Sequence, residues 1–416
     1  MAHHSPPTST ECAPNRSNAF GTDRGVIHVC HLTKYYPPAA GGIETHVRTL
    51  AVRQAAIGHR VTVICVNHHE KSKARPSDSV EEELVDGVRV IRVARRLSVS
   101  KWDYCPGLRS VLQEHADTAD VLHLHTPNPT MTLALRMCRL NKPLVITHHS
   151  DVVRQRLGGI LLKLVERKLM RRASTILTTS PRYAEGSEAL RPFLDKVEVL
   201  PLGIETAPFV APSSRAAAYC ESLQDQYPGP LWLAVGRLVY YKGLESAVRA
   251  LPHLPGTLLV IGEGPMRAAW ESLASTLGVA DRIIWLGKVD DDHLVGAYHA
   301  ATALLFPSNA RSEGFGLVQV EAMAAQCPVI NTAIPHSGVS WVSPTEETGL
   351  TVPVNDAPAL AAAARRLLDE PELRSQLATA ARLRACSLFD APEMARKSIE
   401  LYRRVLAAAG TSRAAT

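Results

Sequence analysis

Short runs of β-branched and aliphatic residues alternate along this chain with longer stretches in which apolar residues recur every three or four positions. The short runs fall at residues 26–30, 60–66, 88–93, 121–125, 144–147, 175–178 and 197–200, and the first is followed by a helical pattern over 44–57 that stops at Gly58. Strands of this kind, separated by helices, predict βαβ units and a parallel sheet covered on both faces. A polar, alanine-rich segment bounded by prolines, 208–229, interrupts the series. The pattern then restarts with strands at 231–235, 257–261, 282–286, 303–306, 328–330 and 349–352. The expectation is an α/β protein with two Rossmann-like, doubly wound domains, 25–207 and 208–390. Ligands of such sheets bind at the carboxyl ends of the strands, so the cleft between two of them is the natural site. A last helical pattern at 392–409 has no strand after it. Residues 391–416 are therefore expected to cross back and brace the first domain.

Composition narrows this picture. Residues 1–24 are polar and rich in Ser, Thr and Pro, and read as a disordered tail without the apolar core of a signal peptide. No apolar run approaches the roughly 18 residues that span a bilayer, so a cytoplasmic protein is expected. The eight cysteines form no C-x-x-C pair and several sit in strand-like runs. Buried, reduced thiols are expected, not a metal site or a disulfide framework. The net charge of +6 admits nucleic acid, an anionic membrane or a phosphorylated ligand as partner. Aromatic residues make up only 5% and no nucleic-acid-binding motif is present, so no nucleic acid is expected.

The stretch 306–330 concentrates the chemistry. A strand ends at Phe306-Pro307, a polar loop follows, and Glu313-Gly314-Phe315-Gly316-Leu317 leads into a helix over about 318–325. Glycines let backbone amides approach a ligand closely. The helix N-terminus offers free N–H groups and a positive dipole end, suited to a diphosphate. Glu313 before the helix and Glu321 within it are placed to accept hydrogen bonds from vicinal hydroxyls. A loop-helix junction with a capping Glu is the plain alternative for either residue alone.

The whole string resembles the E-x7-E motif of retaining glycosyltransferases of family 4, which have the GT-B fold. The resemblance implies that Glu313 contacts a donor sugar, that Glu321 binds ribose hydroxyls, and that the amides of Gly314, Phe315, Gly316 and Leu317 face sugar and diphosphate. Other elements follow in family order. Gly41-Gly42 before the first helix is similar to the first-domain glycine loop, although a tight turn explains it equally well. Gly236-Arg237-Leu238-Val239-Tyr240-Tyr241-Lys242-Gly243 resembles the G-R-x-x-x-x-K-G element, whose Arg and Lys neutralise a leaving diphosphate. Solvated surface cations are the alternative. Gly262 and Gly264 match a G-x-G-P turn that is structural or nucleotide-contacting. Lys288 lies in a segment similar to the one against the base. His125 matches the family's histidine near sugar and acceptor, whereas His123 within the same strand is expected to be packed. His149 and Asp151 resemble an H-S-D loop of a polysaccharide-assembly branch.

A basic segment follows that loop. Arg154, Arg156, Lys163, Arg167, Lys168, Arg171 and Arg172 stand against one Glu, while Leu161, Leu162, Val165 and Leu169 share a helical face. Membrane-associated relatives use similar helices, and Arg167, Lys168, Arg171 and Arg172 are the candidate lipid contacts. Ordinary packing with solvated cations is equally open. Taken with the resemblance, the expected partners are a nucleotide sugar, a lipid-linked saccharide acceptor and the cytosolic face of the inner membrane, with the protein peripherally attached there. No Asp-x-Asp cluster sits in a suitable loop, and Asp290-Asp291-Asp292 reads as a helix start. No cofactor and no metal are therefore expected for the chemistry, with Arg237 and Lys242 supplying the charge. Phrases such as Ala310-Arg311-Ser312-Glu313 resemble mannosyltransferases of bacterial polysaccharide and O-antigen assembly, so GDP-mannose is the expected donor and a UDP-sugar its rival. A UDP-N-acetylglucosamine epimerase-like isomerase and a non-catalytic sugar-nucleotide-binding protein are the readings of other classes.

Overall fold

A computed structural model describes residues 25–39, 41–68, 79–99, 102–138, 140–151 and 159–414. The predicted tail 1–24 and two of the basic candidates, Arg154 and Arg156, lie outside the described residues. Among the described residues the first half carries ten strands: β1 His28–Leu32, β2 Arg60–Val66, β3 Val80–Val85, β4 Val88–Val93, β5 Leu97–Val99, β6 Trp102–Tyr104, β7 Val121–Thr126, β8 Leu144–His148, β9 Thr175–Thr178 and β10 Val197–Val199. Eight of them form one sheet in the order β10-β9-β8-β7-β1-β2-β4-β3. The second half carries β11 Leu231–Val235, β12 Thr257–Ile261, β13 Ile283–Gly287, β14 Ala303–Phe306, β15 Val329–Thr332 and β16 Gly349–Val352, in the order β13-β12-β11-β14-β15-β16. The central strands are buried on both faces because helices cover both, although β1 and β7 carry histidines among their apolar residues.

Two differences from the expected topology have a physical cause. The first sheet is mixed: β3 pairs antiparallel with β4 at its edge. β3 has the sequence Val-Glu-Glu-Glu-Leu-Val, too polar to register as a buried strand, yet three glutamates suit an exposed edge that must not recruit another chain. The turn between the two strands is Asp86-Gly87, both at positive φ, which is the short hairpin turn that matches strand twist. The antiparallel pair β5–β6 forms a separate ribbon from runs of three residues each, too short to show a period.

The chain passes between the halves twice, and the two crossings run side by side. Ile204 N–H donates to Phe389 O at 2.9 Å and Ala391 N–H donates to Ile204 O at 2.8 Å, while Thr206 Oγ1 donates to Asp390 Oδ1 at 2.8 Å. The last helix, Ala391–Ala414, then lies on the first sheet. Met394, Ala395, Ile399, Leu401, Tyr402 and Val405 pack against Val29, Leu50, Val121, Val145 and Leu177. Each large aliphatic side chain so buried contributes about 1.5–3 kcal/mol, so one face of the first sheet is completed by the end of the chain.

Candidate active site

Parallel strands that stop at the same level put their following loops in one cleft. From the second sheet, β14 ends at Phe306 and leads through the Glu313 loop to the helix Leu317–Ala324. Gly316 caps that helix in the left-handed region at φ 79°, and a Cβ there would come within 2.7 Å of the Phe306 ring. Only glycine makes that turn without strain. Lys242 reaches the loop from the turn after β11. Its Nζ lies 2.6 Å from Glu313 Oε2 and 5.0 Å from the centre of the Phe306 ring. The approach is off-axis, so Glu313 Oε2 gains an ion pair without an aligned hydrogen bond. Glu321 sits inside the helix and accepts a 2.7 Å hydrogen bond from Tyr298 OH. Burial raises its pKa, against the opposing Tyr298 hydrogen bond and Lys242 charge.

Gly262 and Gly264 have a packing explanation. A side chain at Gly262 would overlap the Gly236 carbonyl, and one at Gly264 would overlap the Leu238 backbone. The turns after β11 and β12 therefore pack backbone to backbone, tied by Gly236 N–H to Ile261 O at 2.9 Å and Leu238 N–H to Glu263 O at 2.8 Å. Arg237 is exposed and donates to Tyr241 OH at 3.1 Å. Lys288 is exposed just beyond β13. Phe315 turns its side chain into the core against Phe389, 5.5 Å between ring centres, so only its backbone faces the loop. Asp290 caps the helix Asp291–Ala300 by accepting from His293 N–H at 3.0 Å, as a helix start should.

The first sheet contributes a cluster of imidazoles that no spacing in the sequence joins. His31 on β1, His123 and His125 on β7, His149 just past β8 and His46 in the first helix, Gly42–Ala56, meet under the glycine loop. His31 Nδ1 is 3.0 Å from His125 Nε2, and His125 Nδ1 is 3.2 Å from His149 Nε2. Burial moves the pKa of His31 down to about 4 and, with the His31 charge, that of His46 to about 3. Burial, then the neighbouring imidazoles, lowers His123, His125 and His149 well below the usual histidine range. All five are therefore neutral at pH 7. Neutral imidazoles are metal ligands, and two trios, His31/His123/His125 and His46/His125/His149, hold ligand atoms within 4.8 Å of one another. Hydrogen bonds already engage both ring nitrogens of His31, His123 and His125. His46 differs, because both of its buried ring nitrogens lack a partner among the described residues. Gly41 and Gly42 are exposed at the start of that helix, and the Glu44 carboxylate folds into the space a Gly41 side chain would need.

Asp151 is placed at the seam between the halves. It accepts from Ser187 Oγ at 2.6 Å, lies 3.0 Å from His148 Nε2 and pairs with Arg311 at 2.9 Å. Burial pushes its pKa up, but the His148 and Ser187 hydrogen bonds and the His148 and Arg311 charges prevail and hold it low. It is thus His148, not His149, that touches the aspartate of the H-S-D loop. Arg311 also donates to Tyr183 O at 3.3 Å and His336 O at 3.0 Å, and stacks 4.6 Å over the Tyr183 ring. Its place two residues before Glu313 was the only signal available.

The basic helix Gly159–Arg172 divides its cations. Arg167, Lys168 and Arg171 are exposed. Arg172 is not a free cation: its guanidinium donates to Leu140 O and to Lys142 O, and burial lowers its pKa. Leu169 and Met170 are buried in the first core, and Leu164 is 53% exposed. The side chains of Leu161 and Leu162 lie outside the described residues. Among the described residues no helix is long and apolar enough to cross a membrane.

Comparison with known proteins agrees with this geometry. Residues 40–208 match the family described as Glycosyltransferase Family 4, and residues 223–384 match Glycosyl transferases group 1. A D-rhamnosyltransferase, WbpZ, of Pseudomonas aeruginosa is 31% identical over 371 residues, 88% of this chain and 93% of its own. O-antigen chain mannosyltransferase C of Escherichia coli is 26% identical over 91% of this chain and 99% of its own. Among solved structures, a sucrose-phosphate synthase from Thermosynechococcus elongatus superposes with a TM-score of 0.72 at 28% identity, covering 92% of this chain and 100% of the other. A two-sheet cleft with these strand-end groups, matched over most of its length by such relatives, means that the chain belongs to the family 4 glycosyltransferases and has the GT-B fold.

Proposed function

We propose that the protein transfers mannose from GDP-mannose, with retention and so in α-linkage, to a lipid-linked saccharide in bacterial exopolysaccharide or O-antigen assembly. The likeness to an O-antigen chain mannosyltransferase supports mannose as the sugar and O-antigen assembly as the process. The observation that carries the chemistry is the Lys242–Glu313 pair, 2.6 Å apart at the strand ends of the second half. Lys242 and Arg237 stabilise charge developing on the leaving diphosphate, and Glu313 holds Lys242 and the donor sugar. Glu321 binds the ribose. No carboxylate of the first half stands out as a nucleophile, so the acceptor hydroxyl attacks on the face the diphosphate leaves, and the diphosphate takes its proton. The protein then supplies positioning and charge, without a metal. His125 and His149 lie beside the sugar and the acceptor. The exposed Arg167, Lys168 and Arg171 rest on the anionic cytosolic face of the inner membrane; Arg172, already held by backbone carbonyls, does not.

A turnover assay over a panel of nucleotide sugars, in chelator, tests this reading. GDP-mannose is expected to be consumed, with an α-linked product by NMR. Exclusive use of a UDP-sugar would overturn the donor, and loss of turnover on chelation would overturn the metal-free chemistry.

A further inference from the structure

His31, His125 and His149 are one branch of a polar network that starts on the last helix, and its anchored end determines which atom of each residue carries hydrogen. Ser398 Oγ donates its single hydrogen to Ala395 O at 2.6 Å. Toward Gln54 Nε2, 2.8 Å away, it can only accept. The Gln54 atom facing Ser398 is therefore the amide nitrogen, which also lies 3.3 Å from Tyr402 OH. That orientation points the Gln54 carbonyl oxygen at His31 Nε2, 2.8 Å away, so Nε2 carries the hydrogen. A neutral His31 has a bare Nδ1, which accepts from His125 Nε2–H at 3.0 Å. The same step repeats: the bare Nδ1 of His125 accepts from His149 Nε2–H at 3.2 Å. His149 is left with its own Nδ1 bare, and no group among the described residues donates to it.

The second branch obeys the same rule. Tyr402 OH accepts from Gln54 and donates to His123 Nδ1 at 2.6 Å, and His123 Nε2–H donates to Thr147 Oγ1 at 2.6 Å. Both branches are consistent with one orientation of Gln54, which the Ser398–Ala395 bond selects. In the first branch every donor points away from the cleft. Hydrogen bonds aligned in this way polarise one another, so a ring that donates from Nε2 is a better acceptor at Nδ1. His149 is also the exposed end of the branch. It is half-buried, not sealed, and a side chain at Gly314 in the Glu313 loop would lie 3.8 Å from its carbonyl oxygen.

We propose that Gln54, held by Ser398 of the C-terminal helix, is a positioning residue that keeps His149 as its Nε2–H tautomer, with Nδ1 accepting a hydrogen bond from a saccharide hydroxyl in the cleft. The hydroxyl rests on the transferase reading above; the tautomer does not. The last helix then does more than cover the sheet, because it sets the polarity of the imidazole network in the first half through Ser398 and Tyr402.

The test is NMR of the full-length protein labelled with 15N in its histidine rings. His31, His125 and His149 are expected to show hydrogen on Nε2 and none on Nδ1. Hydrogen on Nδ1 of His149 overturns the proposal, whatever the donor panel returns. In Gln54→Met the His149 signal is expected to become a tautomer mixture, with kcat falling by about 10-fold to 100-fold while the donor KM holds. A folded Gln54→Met protein with the wild-type tautomer, or a loss confined to KM, refutes it. Should Gln54→Met fail to fold, Ser398→Ala, which removes only the anchor, is expected to shift the tautomer in the same direction, and an unchanged tautomer there refutes the proposal equally. The ring spectra require no turnover, so a failed donor panel and a failed tautomer assignment are told apart.

Discussion

At the scale of the residue, the Lys242–Glu313 pair carries the proposed chemistry. Both side chains are largely withdrawn from water, with 18% and 11% of their surface exposed, so each depends on the other for charge compensation. Replacing Glu313 with Ala frees the lysine and removes an acceptor for sugar hydroxyls, but leaves Glu321 and the glycine turns in place. The expected outcome is a fall in kcat of about 10²–10³-fold with nucleotide binding retained, read from steady-state kinetics and from calorimetry with GDP. Full activity in Glu313→Ala would remove the residue from the mechanism. Glu313, Glu321 and Lys242 were legible in the sequence because each sits at a fixed distance from glycines that follow a strand. His31, His46 and Gln54 were not, because their relation to His125 runs across neighbouring strands and a helix, and strand order is not written in spacing.

At the scale of the element, glycines decide how closely strand-end turns approach. Gly316 illustrates both constraints at once, a left-handed φ of 79° and a ring 2.7 Å from where a Cβ would lie. Gly316→Ala is expected to destabilise the protein by about 1–3 kcal/mol, measured by the shift of its urea midpoint. A change below about 0.5 kcal/mol would mean the loop relaxes around the added methyl. Helix and strand placement was largely readable, since β2, β4, β9, β11, β12, β14 and β16 lie where the hydrophobic runs put them. The acidic edge strand and the ribbon β5–β6 escaped, the first for lack of apolar residues and the second for lack of length. The basic helix shows the same limit, for composition counts Arg172 with its neighbours, whereas its carbonyl partners come from the chain 30 residues or more before it.

At the scale of the whole molecule, five histidines held as neutral rings make stability depend on acid. Their folded pKa values lie below the unfolded value of 6.5, at about 4 for His31 and about 3 for His46. The unfolded chain therefore binds more protons than the folded one at pH values between those limits, and stability rises with pH there. The contribution is complete above about pH 6.5 and is lost as pH falls toward 4, with each uncompensated proton changing stability by about 1.4 kcal/mol per pH unit. Urea midpoints measured from pH 7 down to 4 are expected to fall with a slope of more than one proton. A flat profile would mean the rings charge in the folded protein. Arg311 adds a second whole-molecule feature, since its pair with Asp151 and its bond to the Tyr183 carbonyl join the Glu313 loop to the first half.

The sequence by itself determined the two βαβ series, the return of the last helix to the first sheet, and the strand-loop-helix frame that carries Glu313. Each of these is a local pattern whose period or order survives in one dimension. Tertiary structure alone decided which side chains share a buried environment. It turned His31, His123, His125 and His149, a glutamine and the last helix into one directional hydrogen-bonded network, and it gave Asp151 and Arg172 partners from distant parts of the chain. The physical reason is that hydrogen-bond direction and burial depend on every neighbour of an atom, and most of those neighbours are distant along the chain.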